Sequence, residues 1–168
     1  YLHLGHVYER LGNLPQAIAT LTQAVELEPN NAGAQFYLGL AQSENKAYTE
    51  AAASLQKAVA LDDNNATYHF NLGVVYEKLG DFEASVAQMQ RTIDLDPKHA
   101  SALNYLGYMY AERGIRLDES IDVIQRALVL EPDNGYFIDS LGWAFFKKGW
   151  YEKALSELER AVVREHRH

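Results

Sequence analysis

Residues 140–146 read SLGWAFF, which sets a glycine inside an apolar helical pattern and crowds it with three aromatic rings. Glycine costs about 1 kcal/mol against alanine in a helix interior, so Gly142 needs a packing reason. At about 100° per residue, Trp143, Phe145 and Phe146 cannot share one helical face. The same Leu-Gly pair stands at Leu4-Gly5, Leu38-Gly39, Leu72-Gly73 and Leu106-Gly107, with successive glycines 34, 34, 34 and 35 residues apart. A fixed period of this length marks a repeat array.

Other positions follow the same period. Three residues after each glycine stands Tyr8, Gln42, Tyr76, Tyr110 or Phe145. Small residues follow at Ala17, Ala51, Ser85, Ser120 and Ala154, and again at Ala24, Ala58, Thr92, Ala127 and Ala161, with Pro29, Pro97 and Pro132 closing three of the units. This skeleton resembles the tetratricopeptide repeat family, whose unit has 34 residues, and the resemblance covers nearly the whole chain. It implies an all-α, right-handed solenoid of five helix-turn-helix repeats, about ten helices. The repeats span residues 1–31, 32–65, 66–99, 100–134 and 135–168, one array over residues 1–168. The departures are Gln42 for the aromatic residue, Asp63 for the proline and one extra residue in the RGIRLD turn of repeat four.

Each repeat divides into two helices around a breaker: Gly12-Asn13, Asn45-Lys46, Gly80-Asp81, Gly114 or Gly149. Asn13 and Asp81 have the chemistry of N-caps, and Pro15 suits a first turn, where its missing N–H is no loss. The second helices are amphipathic; Leu14, Ala17, Ile18, Leu21, Ala24 and Val25 form one face of the first of them. The first helices are apolar almost all round, as expected of helices covered on several sides. On the last, Ile138, Leu141, Gly142 and Phe145 form the stripe against the second helix, and the glycine lets the two axes approach. Tyr136, Asp139, Trp143 and Phe146 fall on another face.

That other face is where function is expected, because a repeat array spends its cores on neighbours and leaves the first-helix faces as its binding surface. The resemblance implies a peptide or protein ligand there. The stripe comprises Leu2, His6 and Glu9, then Gly33, Phe36, Leu40 and Ser43, then Thr67, Phe70, Val74 and Glu77. Repeat four adds Ser101, Asn104, Tyr108 and Ala111, and repeat five adds Tyr136, Asp139, Trp143 and Phe146. One class in the family grips a terminal carboxylate with lysine and asparagine on this stripe; no lysine stands here, so apolar anchors are expected instead. The expected groove residues are Phe36, Leu40, Phe70, Val74, Asn104, Tyr108, Tyr136, Asp139, Trp143 and Phe146. Asn104 can hydrogen-bond a ligand main chain and Asp139 can receive a basic side chain. Phe36, Leu40 and Phe70 have a competing fate as packing between successive first helices.

Composition narrows the partners. The chain has 168 residues, 48% of them hydrophobic, a formal charge of −8 and a pI near 5.2. Its 15 basic residues are scattered, which argues against nucleic acid, where clustered cations are needed. No apolar run approaches the ~20 residues that span a bilayer, so no direct membrane insertion is expected of this stretch. Without cysteine there are no disulfides or thiolate metal sites. His3 and His6 are three apart on a helix but have no third ligand nearby, so no metal is expected. No phosphate-binding glycine loop, HExxH motif or GxSxG elbow occurs, and neither catalysis nor a cofactor is expected.

The expected function is therefore a non-catalytic scaffold or adaptor for a protein or peptide segment; the alternative is a homo-oligomer formed through terminal repeats. The ALNYLGY and DSLGW stretches look like those of bacterial repeat proteins, some of them envelope lipoproteins, which leaves cytoplasm and periplasm both open. Tyr1 enters inside repeat one, as in an N-terminally truncated fragment of a longer chain. Leu27, Leu61, Leu95 and Leu130 end four second helices at one position, where each is expected to be buried against the next unit. Arg164 takes that position in the fifth, with His166 and His168 following, which reads as a polar cap.

Overall fold

The computed structural model describes residues 1–165, and every regular element among them is an α-helix. The helices are α1 (Leu2–Arg10), α2 (Leu14–Leu27), α3 (Ala32–Glu44), α4 (Tyr48–Leu61), α5 (Ala66–Lys78), α6 (Phe82–Leu95), α7 (Ala100–Arg113), α8 (Leu117–Leu130), α9 (Gly135–Lys148) and α10 (Tyr151–Glu165). His166 and His168 lie outside the described residues. The chain forms two compact units, Tyr1–Leu95 with three helical hairpins and a second beginning at Asp96 with two.

Local chemistry explains the helix starts. Asn13, Asn31, Asn65, Asp81 and Asn134 each accept a hydrogen bond from the backbone N–H three residues on. His99 caps α7 in the same way through Nδ1, 3.1 Å from the N–H of Ala102. The hairpin turns need one left-handed residue, supplied by glycine except at Lys46 (φ 61°). The extra residue between α7 and α8 is absorbed by a second left-handed position, Arg116 (φ 47°), two residues beyond Gly114.

Within each hairpin the Leu-Gly glycine is the point of closest approach. A Cβ placed on Gly39 or Gly142 would lie 2.7 Å from Leu55 Cγ or Leu158 Cγ, so a second-helix leucine occupies the space where a side chain would stand. The first unit's core gathers Ala17, Leu21, Leu38 and Ala41 in one cluster, and Phe36, Leu55, Leu72 and Val75 in another. In the second unit Ala111, Ile121, Ile124, Leu141, Ala144, Phe145 and Ala154 form the core.

Two departures from the repeat skeleton are partnered. Gln42 Oε1 accepts a 2.7 Å hydrogen bond from the Ser54 hydroxyl, joining the two helices where the other repeats pack a ring. The carboxylate of Asp63 meets Arg91 at 3.4 Å, while its carbonyl lies 2.7 Å from His69 Nε2.

The helix-end leucines differ from expectation. Leu27, Leu61 and Leu130, each the last residue of its helix, are exposed rather than buried against a following repeat. Arg164 at that position is therefore no mark of a cap: its guanidinium reaches back to Asp133 at 3.3 Å, while Tyr151, Leu155, Val162 and Val163 leave α10 with an apolar exposed surface.

Candidate functional site

The first-helix faces of the two units carry different chemistry. In the first unit, Phe36 is only 8% exposed and belongs to the core, its ring 4.6 Å from that of Tyr68 and 5.5 Å from that of Tyr37. Phe36 is thus a packing residue rather than an accessible contact, because the neighbouring first helix covers it. Leu40 is half-buried against the same cluster, and Phe70 and Val74 are half-buried on α5.

In the second unit the expected core stripe is filled by its own residues: Leu106, Tyr110, Leu141 and Phe145 are all buried. The adjoining face is then left with large side chains and no core to enter. Tyr136 is 77% exposed, and Tyr108, Asp139 and Phe146 are exposed as well, whereas Ala111 at the end of this stripe is fully buried. Trp143 is half-buried against the core edge, and its ring stacks on Phe146 at 5.1 Å with only 9° between planes. Stacked aromatic pairs contribute about 0.5–1.5 kcal/mol beyond their buried area. Phe146 in turn meets Tyr151 at 5.4 Å across the Gly149 turn, and Lys147 Nζ lies 5.1 Å from the Trp143 ring centre.

Two polar atoms on this face are buried without a hydrogen-bond partner, Asn104 Oδ1 on α7 and Trp143 Nε1 on α9. One is an acceptor and the other a donor, on helices that pack together. Buried polar groups left unpaired cost roughly 1–3 kcal/mol each.

The sequence reading did not include Tyr151 and Lys147. Tyr151 sits in the second-helix register, and only the fold of the Gly149 turn brings it beside Phe146. It also passed over the pairing of His6 with Glu9, at 3.8 Å, and the contact of His6 with Tyr37, whose ring centres are 5.0 Å apart. Among the described residues no three His, Asp or Glu side chains converge as a metal site, and no helix is long and apolar enough to cross a membrane.

A tetratricopeptide repeat family model matches residues 2–66 and 70–136, more than half of the chain, and the chain belongs to that family. No curated protein matches it. Among solved structures it is similar to MamA, with 25% identity over 97% of this chain and 95% of that one and a TM-score of 0.88. It is also similar to the MamA segment from residue 41 to the end from Desulfovibrio magneticus RS-1, with 20% identity, 99% and 93% coverage and a TM-score of 0.89. A third is YrrB, described as a TPR protein with an unusual peptide-binding site, with 24% identity, 100% and 86% coverage and a TM-score of 0.83. At 20% and 24% identity the likeness is one of fold. These relatives carry the all-α repeat fold of protein-interaction scaffolds, and this chain shares it.

Proposed function

We propose that the chain is a non-catalytic scaffold that binds a peptide segment of a partner protein through apolar anchors, with Tyr108, Tyr136, Trp143 and Phe146 as the principal contacts. The observation that carries this reading is the stacked Trp143–Phe146 pair, held at the surface beside a core that its own repeat has already filled. Preformed aromatic surfaces bind with little loss of side-chain entropy, and hot spots are rich in such residues. Asn104, half-buried on α7, suits a hydrogen bond to the ligand's main chain. Asp139 suits a basic side chain at the rim. In the first unit Leu40, Phe70 and Val74 offer smaller apolar contacts, with Phe36 in the cluster behind Leu40. The family fold favours protein partners, and the fold shared with YrrB, a peptide binder, agrees with a peptide ligand.

Selection from a random peptide library on the immobilised chain tests the reading. Peptides with two or more large apolar residues should emerge and lose affinity for Trp143→Ala. Failure to enrich such peptides, or equal binding by Trp143→Ala, overturns it.

A second reading, association between copies of the chain, is favoured by α10. On α8, Ile121 is 7% exposed beneath α9, while Leu155, one period later on α10, is 60% exposed, and Val162 is exposed beside it. A concentration-dependent mass by light scattering that disappears in Leu155→Glu supports it; a constant monomer mass removes it.

A further inference from the structure

Inside each unit, a second helix that has a following repeat is covered by the next first helix, and the same positions do the covering. They are the residue before the ladder glycine and the one two beyond it. Leu38 and Ala41 of α3 pack with Ala17 and Leu21 of α2. Leu72 and Val75 of α5 pack with Ala52 and Leu55 of α4, and Leu141 and Ala144 of α9 with Ile121 and Ile124 of α8. In all three contacts the first-helix pair is at most 6% exposed.

The first and last helices carry the same chemistry with that face open. On α1 the corresponding pair around Gly5 is Leu4 and Val7, yet these are 49% and 53% exposed. On α10, Leu155 follows the small residue Ala154 as Ala52 follows Ala51 and Ile121 follows Ser120; Ala52 and Ile121 are buried, and Leu155 is 60% exposed. Val162, two turns further along α10, is exposed as well. Thus α1 presents the first-helix half of the repeat contact and α10 the second-helix half. Exposed apolar faces of this kind mark interaction surfaces, and one chain carries both halves.

The register of the interior contacts also sets a polar pair. Between α4 and α5 the Gln56 side-chain amide donates to the Tyr76 hydroxyl. The corresponding positions are Glu159 on α10, which is exposed, and Tyr8 on α1. Across two copies in that register the tyrosine hydroxyl donates to a carboxylate, a charge-assisted bond stronger than the neutral one it replaces.

We propose that the chain associates head to tail, with α1 of a second copy seated on the α10 face as α9 is seated on α8. This rests on the reading of association between copies and adds which surface of the second copy is used. Because the two faces differ, the contact is heterologous: every added copy leaves one open face of each kind, and growth continues past the dimer.

The test uses the whole chain and two variants, Leu4→Glu, which spoils α1 and spares α10, and Leu155→Glu, which does the reverse. Both positions are open to solvent in a single copy, and circular dichroism checks the fold; Val7→Glu is a second α1 variant. By light scattering, the unsubstituted chain should grow with concentration beyond twice its 18.9 kDa mass. Each variant alone should stay monomeric, and an equimolar mixture of the two should form a dimer and stop, since one intact face of each kind remains. Tyr8→Phe should weaken association of the otherwise unsubstituted chain about tenfold, the loss expected of a hydrogen bond to a charged group. If Leu4→Glu and Val7→Glu still associate while Leu155→Glu does not, copies meet through α10 alone, and the head-to-tail contact falls while self-association stands. A mixture that remains monomeric overturns the head-to-tail contact too. A constant monomer mass for the unsubstituted chain overturns both.

Discussion

The Ser120 hydroxyl donates a 2.6 Å hydrogen bond to the carbonyl of Gly107, and a Cβ added to that same glycine would lie 2.8 Å from the carbonyl oxygen of Ser120 and 2.5 Å from Ile124 Cγ1. The two helices of this hairpin are thus in backbone contact, and the neighbour that blocks a side chain is partly a rigid carbonyl. At Gly73 the hydroxyl of Ser85 makes the same bond at 2.7 Å, but the nearest obstruction is Met89 Cε at 2.9 Å, the end of a flexible side chain. Gly107→Ala should therefore cost about 2–3 kcal/mol, as overpacking at a close crossing does. Gly73→Ala should stay within about 1 kcal/mol, because methionine repacks and the helix gains alanine's propensity. Thermal melts of the two variants decide it; equal shifts would mean that the crossing at Gly107 relaxes.

His69 supplies a second prediction. It is buried, with Nδ1 2.7 Å from Gln88 Oε1 and Nε2 2.7 Å from the carbonyl of Asp63. One period earlier, Gln35 donates through its side-chain amide to the carbonyl of Pro29, so the two residues perform one task in successive repeats. His69→Leu should cost about 1–3 kcal/mol by leaving its two partners unpaired, while His69→Gln should recover most of it. Urea midpoints measure both, and a glutamine variant as unstable as leucine would disprove the equivalence.

The glycine ladder made the fold legible because backbone approach admits a single residue type, and the same requirement recurs every repeat. The second-helix faces were legible because burial repeats with the helical period. What escaped the sequence depends on pairs that have no period. Gln42 reads as a missing aromatic until Ser54 is seen against it, and Asp63 as a missing proline until Arg91 and His69 surround it. Phe36 and Trp143 occupy corresponding faces of their helices, yet one is core and the other reaches the surface, because each depends on what its neighbouring repeat presents.

Titration gives a third prediction. The folded chain raises the Glu9 carboxyl above its ordinary 4.5, so between that value and the raised one the folded state holds more protons than the unfolded. Stability then falls as pH rises through that window, since the slope follows the difference in bound protons. The contribution is fully present below about 4.5 and is lost above the raised value. Glu9→Gln, which cannot ionise, should remove this part of the slope. Urea titrations at several pH values between about 4 and 7 compare the two chains, and parallel curves would show that Glu9 is not the group responsible.

The last prediction concerns the aromatic face of the second unit. Anchors that are desolvated on binding commonly contribute about 2 kcal/mol or more, whereas rim charges act mostly on association rate and salt dependence. Tyr108→Ala and Trp143→Ala should each weaken a library-selected peptide about tenfold or more. Trp143→Ala should have the larger effect, because it removes the ring and its stack on Phe146 together. Trp143→Phe keeps an aromatic ring to stack on Phe146, so its loss should be smaller than that of Trp143→Ala. Asp139→Ala should show a smaller effect that fades with added salt. Gln23→Ala and Arg160→Ala, on exposed second-helix faces, serve as controls; the second also releases a contact to the Pro132 carbonyl, so its fold is checked by circular dichroism. Titration by tryptophan fluorescence or calorimetry reads every variant. Silent Tyr108 and Trp143 substitutions beside a disabling change at Gln23 would place the binding surface on the second helices instead.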